Sequence, residues 1–85
     1  MAEVAIYTKT YCPYSKAAKE FLTSKGIKYT EYVIDSDPAL KAEMETKSGE
    51  RTDTPQVFIN GHHIGSGDDL KAFDETGELD KMMKL

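Results

Sequence analysis

The 85-residue sequence predicts an α/β fold in which a four-stranded mixed sheet carries helices on both faces. Three observations point that way. The hydrophobic period switches repeatedly between strand-like and helix-like. Prolines and glycines stand where helices would start and stop. An Asn-Gly pair separates two short β-rich runs, the signature of a tight hairpin. The length suits one compact domain over residues 1–85, near the size at which a core alone can hold a fold together.

The elements follow in the order β-α-β-α-β-β-α. Glu3–Thr8 is rich in Val, Ile, Tyr and Thr and reads as a strand buried on both faces. A turn at Lys9–Tyr11 leads to Pro13, suited to a first helical position. Ala17, Ala18, Phe21 and Leu22 then recur at helical spacing, and Gly26 suits the residue past the helix end. Cys12 therefore falls at a helix N-terminus. Ile27–Ile34 is β-like, and one helix between two strands implies a parallel pair with a right-handed crossover. Asp37 caps a second helix with Pro38 at its first position, Leu40 and Met44 turned inward and Gly49 as its stop. Glu50–Thr54 is a polar loop. After Pro55, Gln56–Ile59 reads as a strand, Asn60-Gly61 as the hairpin turn and His62–Ile64 as the antiparallel return. Gly65-Ser66-Gly67 breaks that strand. Asp68 and Asp69 open a third helix carrying Leu70 and Phe73, Gly77 ends it, and Leu79, Met82 and Met83 suggest one more short helix on the sheet.

Composition narrows the function. With 11 basic against 15 acidic residues and a formal charge of -4, the chain lacks the basic excess that binding a phosphate backbone requires, so nucleic acid is not an expected partner. Met1–Tyr7 is too short an apolar run for a signal-peptide core, and no stretch approaches the ~20 apolar residues that span a bilayer. A soluble, cytoplasmic monomer is expected. A single Cys cannot form an internal disulfide, and in so small a domain it points to a reducing compartment and to chemistry or packing at that sulfur. His62 and His63 alternate across a strand and point to opposite faces, against a paired metal site; no metal is expected.

The chemistry begins at Cys12. An ordinary thiol, with a pKa of about 8.5, is only a few per cent thiolate at neutral pH, and the thiolate is the nucleophile. At a helix N-terminus the sulfur meets free backbone N–H groups and the positive end of the helix dipole, both of which favour the anion. Lys9 can add a cation and Ser15 a hydroxyl hydrogen bond, together placing the thiol at about 5. The rival is a buried, inert Cys, which a Pro-headed strand-to-helix turn at the sheet's edge disfavours.

Three motifs stand in order: Tyr7-Thr8-Lys9 with Cys12-Pro13-Tyr14-Ser15, then Thr54-Pro55-Gln56, then Gly65-Ser66-Gly67-Asp68-Asp69-Leu70. Together they resemble the glutaredoxin family, whose usual active site is Cys-Pro-Tyr-Cys at the start of the first helix of a thioredoxin-like fold. The resemblance covers the whole chain. It implies a glutathione-dependent thiol-disulfide oxidoreductase, with glutathione as cosubstrate, no covalently bound cofactor, and glutathionylated proteins or small disulfides as partners. By the same resemblance Cys12 is the nucleophile, and Lys9 partners the thiolate or the glycine carboxylate of glutathione. Tyr14 flanks the groove. Thr54 pairs its backbone with the cysteinyl residue ahead of a cis Pro55, and Gly67 N–H with Asp68 takes the γ-glutamyl end, Asp69 being the weaker candidate. Without the family, Asp68-Asp69 reads as a helix cap, Pro55 as an ordinary trans proline and Lys9 as a solvated loop residue.

Departures from the pattern carry consequences. Ser15 occupies the position of the resolving Cys in dithiol relatives, which leaves a monothiol cycle through Cys12. Asp53 and Thr54 replace commoner Thr and Val, and an acidic Asp53 is expected to oppose a net-negative tripeptide. Gly67 stands where relatives often carry an additional Cys. Two alternatives remain open at this level. One is an iron-sulfur cluster carrier using two chains and two glutathiones, against which Pro13 and the absence of a loop insertion before the active site both argue. The other is a glutathione-binding module without turnover.

Overall fold

The computed structural model describes residues 3–83. β1 (Val4–Thr8) is an inner strand, buried along its length except for the half-buried Ala5. It pairs in parallel with β2 (Thr30–Val33), Ala5 opposite Thr30, and antiparallel with β3 (Gln56–Ile59), Ala5 opposite Phe58. β4 (His62–Gly65) returns antiparallel beside β3, giving the sheet order β2-β1-β3-β4. Asn60 and Gly61 join β3 to β4 with φ of 53° and 81°, the positive values that a type I′ hairpin turn demands of both residues.

Alternation along the inner strands sorts the core into two layers. Val4, Ile6, Val57 and Ile59 face α1 (Pro13–Ser24), α3 (Gly67–Glu75) and α4 (Glu78–Met83), packing with Ala18, Leu22, Leu70 and Leu79. Tyr7 and Phe58 face the other way, onto Met44 of α2 (Pro38–Lys47) and onto Ile34. Helices therefore cover both faces, as the period pattern predicts, and the short terminal helix bearing Leu79 is present.

β1 starts one residue late, at Val4, and β4 runs one residue further, to Gly65; two other differences from expectation have a clear physical cause. β2 starts at Thr30 rather than at Ile27. The reason lies in how α1 ends. Gly26, at φ +72°, donates its N–H to Thr23 O at 3.0 Å, and Ile27 donates to Leu22 O at 2.9 Å, the paired bonds of a Schellman motif. Ile27 therefore closes the helix and fills the core before pairing can begin. The second correction is at α3, whose cap is Ser66 rather than Asp68 or Asp69. Ser66 Oγ accepts from Asp69 N at 3.4 Å while Asp69 Oδ2 accepts from Ser66 N at 2.9 Å, a reciprocal capping box. α2 starts as expected: Asp37 Oδ1 accepts from Ala39 N at 3.1 Å and Leu40 N at 3.2 Å.

Candidate functional site

The β1–α1 turn delivers Cys12 to the N-cap of α1 with extended backbone (φ -90°, ψ 114°), and Pro13 takes the first helical position. A proline there sacrifices no helical bond, because the first N–H groups have no intrahelical acceptor anyway. No side chain caps this helix. The half-buried sulfur lies 3.7 Å from Thr54 O, toward which the thiol donates.

Several influences compete at this sulfur. Burial pushes the thiol up, and it is outweighed by hydrogen bonds to the anion from Ser15, from Thr54 and from the backbone N–H groups of Ser15 and Tyr14, which bring it down to about 7. The expected value near 5 is thus not reached. Desolvation works against the helix terminus. The charge of Lys9 falls partly elsewhere: Asp35 is held low first by the Thr10 hydroxyl, at 2.6 Å, and also by Lys9. The Lys9 carbonyl accepts from Cys12 N at 3.2 Å and so shapes the turn.

Ser15 is 1% exposed, and its hydroxyl has no hydrogen-bond partner of proper geometry. That sits beside its role in favouring the thiolate. A hydrogen bond from this hydroxyl to the ionised sulfur is among the influences that lower the thiol.

Thr54 enters the site on the segment before β3, and the Thr54–Pro55 peptide bond is cis, as the family resemblance implies. Two anchors fix this segment. Gln56, fully buried, donates from Nε2 to Asp53 O at 2.9 Å and meets His63 Nε2 through Oε1 at 2.7 Å. Because the Gln56 oxygen accepts, His63 Nε2 carries the hydrogen; this tautomer is assigned from the network. The second anchor is Arg51. Its Nε and Nη2 donate to the two Asp53 carboxylate oxygens at 3.1 and 2.7 Å, and Nη1 lies 3.5 Å from Asp69 Oδ2.

A groove of about 520 Å³ runs between α1, Pro55 and the start of α3, lined by Tyr14, Ala17, Thr54, Gly67, Asp68 and Lys71, among others. Cys12 stands at its edge through the Thr54 contact. A Cβ on Gly67 would touch Ala18 at 3.5 Å and Pro55 at 3.7 Å, so the missing side chain keeps this groove open. Tyr14, 71% exposed, forms an outer wall. The fold thus gathers Tyr14, Thr54, Pro55, Gly67 and Asp68 around one cavity, with Cys12 and Ser15 at the adjoining helix start. Asp69 is turned to the cap and to Arg51. A larger cavity of about 630 Å³ opens on the other face of the sheet, lined by Tyr7, Tyr32 and Phe58, away from the sulfur. Sequence reading missed Arg51, Gln56 and Lys71. The alternating charges of Arg51-Thr52-Asp53 were the available signal for the first; the i, i+3 spacing of Asp68 and Lys71 was the signal for the last.

A glutaredoxin family model matches residues 4–64, more than half of the chain. The chain belongs to the glutaredoxin family. Among relatives, it is 50% identical to glutaredoxin 3 of Escherichia coli (strain K12) over 84 residues, covering 99% of this chain and 100% of that protein. The solution structure of glutaredoxin from Brucella melitensis superposes with a TM-score of 0.82 at 43% identity, covering 96% of this chain and 88% of that one. The buckwheat glutaredoxin-glutathione complex superposes with a TM-score of 0.86 at 28% identity, over 98% of this chain and 77% of that one. These likenesses carry the thioredoxin-like fold. Among the described residues no helix is long and apolar enough to cross a membrane.

Proposed function

We propose that this chain reduces mixed disulfides of glutathione by a monothiol cycle at Cys12. The observation that carries the reading is a sulfur poised between forms near neutral pH, at an uncapped helix start on the edge of a peptide-sized groove. In the first step the Cys12 thiolate attacks the glutathione sulfur of the mixed disulfide. A Cys12–glutathione disulfide forms, the original sulfur-sulfur bond breaks, and the substrate leaves as a thiolate that takes a proton from water. In the second step the thiolate of a free glutathione attacks the glutathione sulfur on Cys12. Oxidised glutathione departs and the Cys12 thiolate returns, so the electrons come from glutathione and no second protein Cys is needed.

The groove supplies the positioning. The Thr54 backbone, ahead of β3, offers β-like hydrogen bonds to the cysteinyl residue, and Pro55 and Tyr14 give apolar walls. The γ-glutamyl α-carboxylate suits the free N–H of Gly67 at the start of α3, and its ammonium suits Asp68, whose neighbour Asp69 is already committed to the cap. Lys9 is assigned to the glycine carboxylate. The protein works as a monomer in a reducing, cytoplasmic setting, with glutathione as cosubstrate and glutathionylated proteins or small disulfides as partners. Mass spectrometry after exposure to oxidised glutathione tests the reading: one glutathione adduct on Cys12, removed by free glutathione, is expected. An unmodified Cys12 sinks it.

A further inference from the structure

We infer that Arg51 is a positioning residue of this groove: its guanidinium cancels Asp53 and ties the Thr54 segment to the first turn of α3, so that an anionic ligand meets a neutral wall. The inference rests on the glutathione reading given above. Glutathione carries two carboxylates and one ammonium at neutral pH, and its net charge is negative. The groove it would enter is lined by Asp53, Asp68 and Lys71, acidic by one charge if Arg51 is left aside. Asp68 has a use for an ammonium. Asp53 has none, and uncompensated it would repel the ligand.

Arg51 answers that charge with its rigid fork, Nε to Asp53 Oδ1 at 3.1 Å and Nη2 to Oδ2 at 2.7 Å, the bidentate geometry that an ammonium cannot copy. The same group reaches Asp69 Oδ2 at 3.5 Å, and Asp69 is the carboxylate that accepts from Ser66 N. One cation thus touches both sides of the groove entrance, the segment bearing Thr54 and the helix start bearing Gly67 and Asp68. The Arg51 guanidinium holds the Asp53 carboxyl below the usual carboxylate range, so Asp53 is ionised wherever the thiolate is. Arg51 and Asp53 side chains are 38% and 54% exposed, so the pair contributes little to folding stability. Its effect is on the field that an arriving anion meets, which salt screens.

The test is steady-state reduction of the mixed disulfide of cysteine and glutathione at low and high salt by Arg51→Ala, Arg51→Lys, Asp53→Asn and the Arg51→Ala/Asp53→Asn double variant. In Arg51→Ala, KM is expected to rise about threefold to tenfold at low salt, with kcat and the Cys12 titration midpoint unmoved and the difference shrinking at high salt. Arg51→Lys keeps the charge and recovers part of the loss. Asp53→Asn frees the cation and is expected to lower KM, and the double variant to return it near the unsubstituted value. A purely structural bridge predicts the opposite, with Asp53→Asn as harmful as Arg51→Ala and no rescue; that result overturns the inference, as does an unchanged KM in Arg51→Ala. If the unsubstituted protein fails to turn over, the glutathione reading itself falls, and this inference with it.

Discussion

The N-termini of α1 and α3 border the same groove and are finished in opposite ways. At α3, Ser66 and Asp69 cap each other and two acidic residues occupy the first turn. At α1 a cysteine holds the N-cap, no side chain bonds to the free amides, and the first turn has no acidic residue. A conventional cap is worth about 1 kcal/mol, and α1 goes without it. The amides left free are those of Tyr14 and Ser15, which favour the ionised sulfur. At α1, then, the amides are left incompletely satisfied, and ionisation of Cys12 gives them an acceptor. At α3 the capping carboxylate is consumed locally, which leaves Gly67 and Asp68 lining the groove.

Making the two termini alike gives the largest expected effect. Cys12→Ser supplies a neutral capping hydroxyl and removes the nucleophile. Mixed-disulfide turnover should fall by at least about a thousandfold, while thermal unfolding reports a gain of about 1 kcal/mol. Retained turnover would exclude Cys12 as the nucleophile, and a loss of stability would show that the α1 amides were already satisfied. Titrating the unsubstituted protein comes next. With the thiol at about 7, the rate at low substrate should climb about tenfold from pH 6 to pH 8 and then level off. By linkage, a depressed thiol adds stability in full above its ordinary value, and that contribution fades as pH falls through about 7. A rate flat across this window would mean that ionisation is complete well below it. At the other terminus, Ser66→Ala should cost about 1 kcal/mol of stability and leave the Cys12 midpoint where it is, checked by chemical denaturation and thiolate absorbance.

The contrast also explains what the sequence made legible. Strand and helix order, the Asn60-Gly61 turn and the place of Cys12 are local signals, carried by period and by punctuating residues. The β2 start escaped because Ile27 serves equally well as a strand residue and as the last contact of a Schellman motif, and only the three-dimensional end of α1 decides between them. Ser66 was overlooked as a cap because the acidic pair after it gives the same kind of signal. The groove was reached through family likeness rather than through spacing: Thr54, Gly67 and Asp68 are far from Cys12 in the chain, and nothing in composition brings them together. Arg51 is the instructive miss. Its partners Asp53 and Asp69 lie on either side of the hairpin in sequence, and folding converts an expected repulsion into a matched pair.

Ser15 separates the two termini most finely. Its hydroxyl is buried without a hydrogen-bond partner, and it favours the ionised sulfur. An unpaired buried hydroxyl costs the protonated state, and pairing it with an anion recovers that cost in the ionised state. Both effects drive the thiol in the same direction. Ser15→Ala removes them together: the midpoint should move upward from about 7, and the rate at neutral pH should drop about threefold while approaching the unsubstituted value in alkaline solution. Stability at acid pH should hold or improve, since a methyl group fills the space without an unmet polar atom. A downward or unmoved midpoint in thiolate absorbance would transfer the whole depression to the α1 amides and Thr54, and would make the helix start alone sufficient for the chemistry.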